Sequence, residues 1–212
     1  MSRFAVSRPT FGRKVTALPP ALPAAYRRRA REDARRAVEI AEARLIVQHL
    51  PAPGEAVHAL MSGRFDLALV LAAVLEQEGP ASARIATLSY NARSFRELLS
   101  LLDNKLLTSC TLLASTFFRA HNEALWEESK REFDERGQRV AVAYNHAKVI
   151  ALDFGGTKKI VLEGSANLRS NRNVEQIAIL ADTGLHDWHV KWIEDYVTRH
   201  RSTDDAPATE TA

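Results

Sequence analysis

The sequence predicts an α/β fold, a mixed β-sheet flanked by helices on both faces. Strand-like and helix-like runs alternate from residue 51 to residue 200, the signature of a sheet layered with helices. The strand-like runs gather toward the middle of the chain, which favours a single central sheet. At 212 residues and 46% hydrophobic, the chain can bury one sizeable core, whereas two full domains would be cramped.

Residues 1–23 are basic, carry prolines and lack an apolar period, which predicts an extended or disordered arm. Ala24–Leu50 is helix-forming, with apolar residues thickening toward its end. Arg27, Arg28, Arg29 and Arg31 crowd its first half, an unfavourable place for cations unless an anion or solvent takes up the charge. Pro51-Ala52-Pro53-Gly54 then breaks the chain. The expected organisation is a basic arm and helix over 1–50, a compact domain over 51–202 and a disordered tail over 203–212.

Within the compact part, Phe65–Gln77 is apolar throughout, and its period does not separate buried helix from buried strand. Ala83–Tyr90 reads as a strand. Ser94–Asp103 reads as an amphipathic helix opened by a Ser94/Glu97 capping box. Leu106–Phe118 reads as a buried strand and Arg119–Arg136 as a charged helix ended by Gly137. Three strands follow: Arg139–Asp153, Lys159–Glu163 and Val174–Ala181. The first two are joined by a turn at Phe154-Gly155-Gly156-Thr157. A last helix, Asp187–His200, is expected to turn Trp188, Trp192 and Ile193 to its apolar side. No internal repeat is present.

The formal charge is +3, unevenly spread. The first 49 residues hold eleven Arg or Lys against four acidic residues, so a basic N-terminal arm precedes a mildly acidic body. That asymmetry suits a polyanionic partner such as nucleic acid; a solvated basic helix is the plainer reading of the same charges. Cys110 is the single cysteine, which excludes a disulfide within the chain and reads as a small buried hydrophobe. No apolar run is long enough to span a bilayer, and no hydrophobic signal core opens the sequence. The expected location is cytoplasmic.

The stretch most informative about chemistry is Asn145–Gln176, NHAKVIALDFGGTKKIVLEGSANLRSNRNVEQ. It contains His146, Lys148 and Asp153 in the spacing H-x-K-x4-D, then Gly164-Ser165-Ala166-Asn167, then Glu175. If Val140–Asp153 is extended, His146 and Lys148 share one face while Val149, Ala151 and Asp153 share the other. An imidazole beside a fixed cation is a poor metal site and a good phosphate site. The neutral ring nitrogen can attack phosphorus while the ammonium holds anionic oxygens. No cofactor and no metal are called for. Taken singly, each residue has a plainer reading: a strand histidine, an exposed lysine, a Gly-Ser-Asn turn. It is their combination that points to phosphodiester cleavage.

The same residues resemble the signature of the phospholipase D superfamily. The match is specific over residues 140–180 and says nothing of residues 1–49. The resemblance implies an α/β fold of phospholipase D type, with His146 as nucleophile forming a phosphohistidine. It implies that Lys148 and Asn167 hold the non-bridging oxygens, with Ser165 assisting. Glu175 would accept a hydrogen bond from the other imidazole nitrogen, and Asp153, though part of the signature, would be chiefly structural. Arg169, Arg172 and Asn173 would line a phosphate path, or form an ordinary polar loop. Superfamily sites use two such motifs, and this chain has one, so it resembles the single-motif nucleases that complete the site across a two-fold homodimer. Ten residues separate Asp153 from Gly164, about four more than is usual, which a longer hairpin around Gly155-Gly156 would absorb.

The leading expectation is therefore a metal-independent nuclease, DNA or RNA being its partner and a second copy completing its site. A non-catalytic nucleic-acid-binding module of the same fold is the alternative. A lipid phosphodiesterase ranks below both, because no amphipathic interfacial helix is evident. His186, Asp187 and His189 offer two imidazoles but no third ligand at a persuasive spacing, so surface and packing roles are expected. His58 reads as either site or cover.

Overall fold

The computed structural model describes residues 24–61, 66–169 and 173–204, with side chains between Asp33 and His200. The expected arm over 1–23, the Arg27–Arg31 side chains, Arg172 and the tail beyond 204 lie outside the described residues. Two units are distinguished, residues 1–35 and 36–212. Of the first, only the opening of helix α1 (Ala24–Val47) is described; sheet, core and site belong to the second.

In chain order the remaining elements are β1 (Ala56–Met61), α2 (Leu67–Glu78), β2 (Ala81–Ala86), α3 (Ala92–Asp103), β3 (Leu107–Ser115), α4 (Thr116–His121), α5 (Glu123–Glu135), β4 (Arg139–Ala143), β5 (Val149–Asp153), β6 (Lys159–Gly164), β7 (Glu175–Leu180) and α6 (Thr183–Asp204). The strands form one seven-stranded mixed sheet in the order β1-β7-β6-β5-β2-β3-β4. β2, β3 and β4 run parallel. β5 pairs antiparallel with β2, and β6, β7 and β1 continue antiparallel from it. The carboxyl ends of β2, β3 and β4 therefore share an edge with the start of β5, the end of β6 and the start of β7.

Alternation along each strand sorts side chains between two covered faces. Ile85, Leu112, Val142, Ile150, Leu162 and Ile179 join the main core with residues of α2, α3 and α5. The opposite face is covered by α6, whose Ile193 and Val197 pack on Ala86, Leu113, Ala141 and Ala143. Three alanines there let the helix backbone approach closely, and each large side chain buried on them contributes about 1.5–3 kcal/mol. The same face carries charge: Glu194 of α6 accepts from both Arg84 of β2 and Arg139 of β4. Burial pushes the Glu194 carboxyl up, but the two guanidiniums outweigh it and leave the pKa lowered.

Several elements differ from expectation for identifiable reasons. The apolar stretch at 65–77 is the helix α2, buried from Leu67 to Leu75 and capped by Asp66, which accepts from Leu69 N–H. Helix α3 begins earlier than the Ser94/Glu97 pattern indicates: Asn91 is the N-cap and Ser94 completes the box, while Glu97 pairs with Arg36. Strand β3 stops at Ser115 because that hydroxyl caps α4 by accepting from Phe118 N–H at 2.9 Å. A break at Asn122 separates α4 from α5. Strand β1, absent from the sequence reading, pairs along its length with β7 and leaves His58 exposed. The Arg139–Asp153 strand is two strands, with His146 and Lys148 in the loop between them. Helix α6 starts four residues earlier than expected.

Burial raises the Asp66 carboxyl from 3.8 to about 6, against the opposing Leu69 N–H bond and the nearby Arg36 and Arg93. A carboxyl raised on folding contributes stability that is complete below its unfolded pKa and lost as pH rises through about 6. Asp66→Asn keeps an acceptor for the cap and removes the charge. It is expected to stabilise the protein by on the order of 2–3 kcal/mol at pH 8, with the gain shrinking as pH falls toward about 4. Urea denaturation of both proteins at the two ends of that range checks this; a pH-independent difference would contradict it.

Candidate active site

His146 lies on the connection from β4 to β5, and the topology dictates its shape. These strands are consecutive in sequence yet separated in the sheet by β3 and β2. The chain crosses three inter-strand spacings, about 14 Å, between Ala143 and Val149. Six Cα steps reach at most about 20 Å, so the crossing is direct, with little chain to spare for a wide loop. It passes over the carboxyl ends of parallel strands, where ligands of open α/β sheets are bound. Asn145 ties it down: its Nδ2 donates to Thr87 O and Leu113 O, each at 3.2 Å, and its Oδ1 accepts from Ala147 N at 2.8 Å. The single asparagine anchors the crossing to the ends of both intervening strands.

On that tether His146 is exposed and Lys148 is buried, with 9% of its surface accessible. The Lys148 ammonium donates to His146 Nδ1 at 2.8 Å and to His146 O at 2.8 Å. With Nδ1 accepting, the ring proton of a neutral imidazole sits on the outer nitrogen, Nε2. Burial lowers the Lys148 pKa, and the charge of Glu175 partly offsets this. The two residues meet as expected, but in the crossing loop rather than through strand alternation.

The Gly164–Asn167 segment leaves β6 beside the start of β5, where Gly164 N donates to Lys148 O at 3.2 Å. Ser165 is pinned between strands: its N–H donates to Gln176 O at 3.0 Å, its Oγ accepts from Gln176 N at 3.0 Å, and its hydroxyl donates to the Glu175 carboxylate. The Asn167 carbonyl accepts from Leu67 N–H at 3.3 Å, and its side chain lies 3.5 Å from Thr87 Oγ1. The sheet therefore brings the segments bearing His146, Lys148, Ser165, Asn167 and Glu175 to one edge.

Asp153 is not among them. It ends β5 about 13 Å further along the strand, pairs in register with Lys159 across the hairpin and accepts from Gly155 N–H at 2.8 Å. Its contacts are those of a residue that shapes the turn. The ten-residue spacing from Asp153 to Gly164 is the β5–β6 hairpin itself, with Gly155 and Gly156 at positive φ. Arg169 and Asn173 are exposed on either side of the undescribed residues that include Arg172.

Of the surface and packing roles expected for His186 and His189, packing is what is seen: both are α6 residues and both are buried. His186 Nδ1 lies 2.8 Å from Asp187, and His189 Nε2 lies 3.0 Å from Glu163. Trp192 Nε1–H donates to His189 Nδ1 at 3.0 Å, so the imidazole accepts there and donates to Glu163 at its other nitrogen. Burial lowers the His189 pKa against the raising influence of Glu163.

A cleft of about 320 Å³ opens beside His146, lined by Leu113, Tyr144, Asn145, Ala147 and the α6 aromatics Trp188, Trp192 and Tyr196. The aromatics were expected to pack inward. Ile193 and Val197 do so, and Trp192 packs partly buried against their cluster, while Trp188 is 61% exposed, because residues 188, 192 and 196 centre roughly a third of a turn from the buried stripe. Asn145 and this aromatic row are the parts of the site that the sequence reading missed. Their only signals were an asparagine next to the histidine and an i, i+4, i+8 spacing that serves core and surface alike.

No protein-family model matches the chain, and no curated protein matches it. Among solved structures it is similar to Nuc from Salmonella typhimurium, a phospholipase D family member, at 14% identity. That likeness covers 66% of this chain and 92% of that one, with a TM-score of 0.49. It is also similar to NucT from Helicobacter pylori, at 17% identity over 69% of this chain and 98% of that one, with a TM-score of 0.45. The archaeal chromatin protein TrmBL2 is 11% identical over 83% of this chain and 66% of its own, with a TM-score of 0.48.

Proposed function

We propose that the chain is a phosphodiesterase of phospholipase D type that cleaves nucleic acid without a metal ion, as a homodimer sharing one site. The observation that carries the reading is the Lys148 ammonium held 2.8 Å from the His146 ring, on a tethered crossing at the edge where Ser165, Asn167 and Glu175 also converge. A fixed cation on that nitrogen opposes a divalent ion and favours a phosphate. Fixed ammonium, amide and hydroxyl donors stabilise the concentrated charge of a five-coordinate phosphorus more than the ground state.

In this mechanism a non-bridging oxygen draws Lys148 Nζ away from Nδ1. The ring proton then resides on Nδ1, with Glu175 as its acceptor, and Nε2 gains the free lone pair. Nε2 attacks phosphorus, forming the N–P bond as the P–O bond to the leaving group breaks. The imidazolium of His146 from a second copy protonates the departing oxygen. That ring, now neutral, takes a proton from water, whose oxygen displaces Nε2 and breaks the N–P bond. The proposed domain spans residues 51–202, with the basic segment before it gathering the polyanion.

The test is cleavage of a labelled oligonucleotide in excess chelator, with detergent quenching at mildly alkaline pH during turnover. Undiminished cutting and label bound to protein through an acid-labile, base-stable bond are expected. Cutting abolished by chelator would overturn the mechanism, and retention of the oligonucleotide without cutting would make the chain a binding module.

A further inference from the structure

Helix α6 presents Trp188, Trp192 and Tyr196 at four-residue intervals along the cleft that ends at His146. The row is about 12 Å long. Trp188 is 61% and Tyr196 38% exposed, and Tyr144, which lines the same cleft two residues before His146, is 96% exposed. These are not loosely held rings. The Trp192 indole is fixed by its bond to His189, and His189 by Glu163 in the strand that leads into Gly164 and Ser165. Trp192 and Tyr196 stand edge to face at 6.1 Å, and the Arg199 guanidinium lies over the Tyr196 ring at 4.7 Å.

We infer that this groove is a stacking platform for the bases of a single-stranded nucleic acid whose scissile phosphate sits at His146. The inference rests on the phosphodiesterase reading and narrows its substrate. Every base has a flat face, so pinned aromatic rings bind strands with little regard to sequence. A cation stacked on the last ring supplies charge for the backbone at the far end. A paired duplex keeps its bases stacked on each other and offers none to these rings. Trp188 and Tyr196 are thus specificity-determining residues, and they act on substrate choice rather than on the bond broken.

The inference is tested with His146→Ala, which removes turnover, titrated with a thymidine oligonucleotide and with a duplex of equal length. Tryptophan emission is read, with buried Trp126 as constant background. The single strand is expected to quench emission and to bind at least about tenfold tighter than the duplex. Adding Trp188→Ala should weaken that binding about tenfold or more without changing the mass of the assembly in solution. In the otherwise native protein, Trp188→Ala should lower kcat/KM for the oligonucleotide by a larger factor than kcat/KM for bis(p-nitrophenyl) phosphate. Absent quenching, equal affinity for duplex, or dissociation of the assembly by Trp188→Ala would overturn the inference, the last by making the row a contact between copies. Loss of bis(p-nitrophenyl) phosphate hydrolysis in His146→Ala is scored separately, so failure of the stacking reading and of the phosphodiesterase reading are distinguishable.

Discussion

His146→Ala is expected to lower phosphodiester cleavage by at least about 10³-fold, because it deletes both the atom that attacks phosphorus and, in a second copy, the acid that releases the product. Stability should change by no more than about 0.5 kcal/mol, since the ring is exposed and is absent from the core. The shared site adds a stricter expectation. If a site needs one histidine from each of two copies, a fully exchanged equal mixture of wild type and variant leaves about a quarter of the pairs competent. Activity should then fall to about a quarter of wild type at equal total protein, rather than to half. A mixture that retains half would show each chain working alone, and full activity in the variant itself would remove His146 from the chemistry.

Gly164→Ala is expected to be the most damaging substitution to the fold of the site. A Cβ built at Gly164 would lie 2.1 Å from Gln176 O, 3.0 Å from Gln176 C and 3.1 Å from Ile177 Cα. All three are backbone atoms of β7, so no side chain can swing aside. The strands must part at the point where Ser165 N–H meets Gln176 O and where the Ser165 hydroxyl reaches Glu175. A loss of about 3 kcal/mol or more is expected, comparable to overpacking a rigid core, together with loss of cleavage. Denaturant unfolding and the oligonucleotide assay measure the two losses. Gly155, which has open space where its Cβ would be but a positive φ of 89°, marks the contrast: there conformation selects glycine, whereas at Gly164 proximity does.

Much of the site was legible in the sequence because its residues are close together in the chain. The H-x-K pair, the Gly164–Asn167 segment and Glu175 lie on adjoining elements, so short-range spacing carried the information. Asp153 shows where spacing misleads: it is five residues from Lys148, but an extended strand carries it to the other edge of the sheet. A two-residue period likewise cannot distinguish a strand that continues from a loop that crosses to another strand, which is why 139–153 read as one strand. The anchoring of Asn145 to Thr87 and Leu113 and the pairing of β1 with β7 depend on strand order, a long-range property with no local trace. Helix α6 hid its exposed aromatics because a tryptophan four residues from another is as common in a core as on a surface.

The tethered crossing between Ala143 and Val149 governs how this chain tolerates change. A short segment tied by Asn145 to two strands has few alternative paths, so the configurational freedom of the reacting ring is surrendered when the protein folds and not at each encounter with substrate. Replacing Asn145 would spare the sheet and let the imidazole wander.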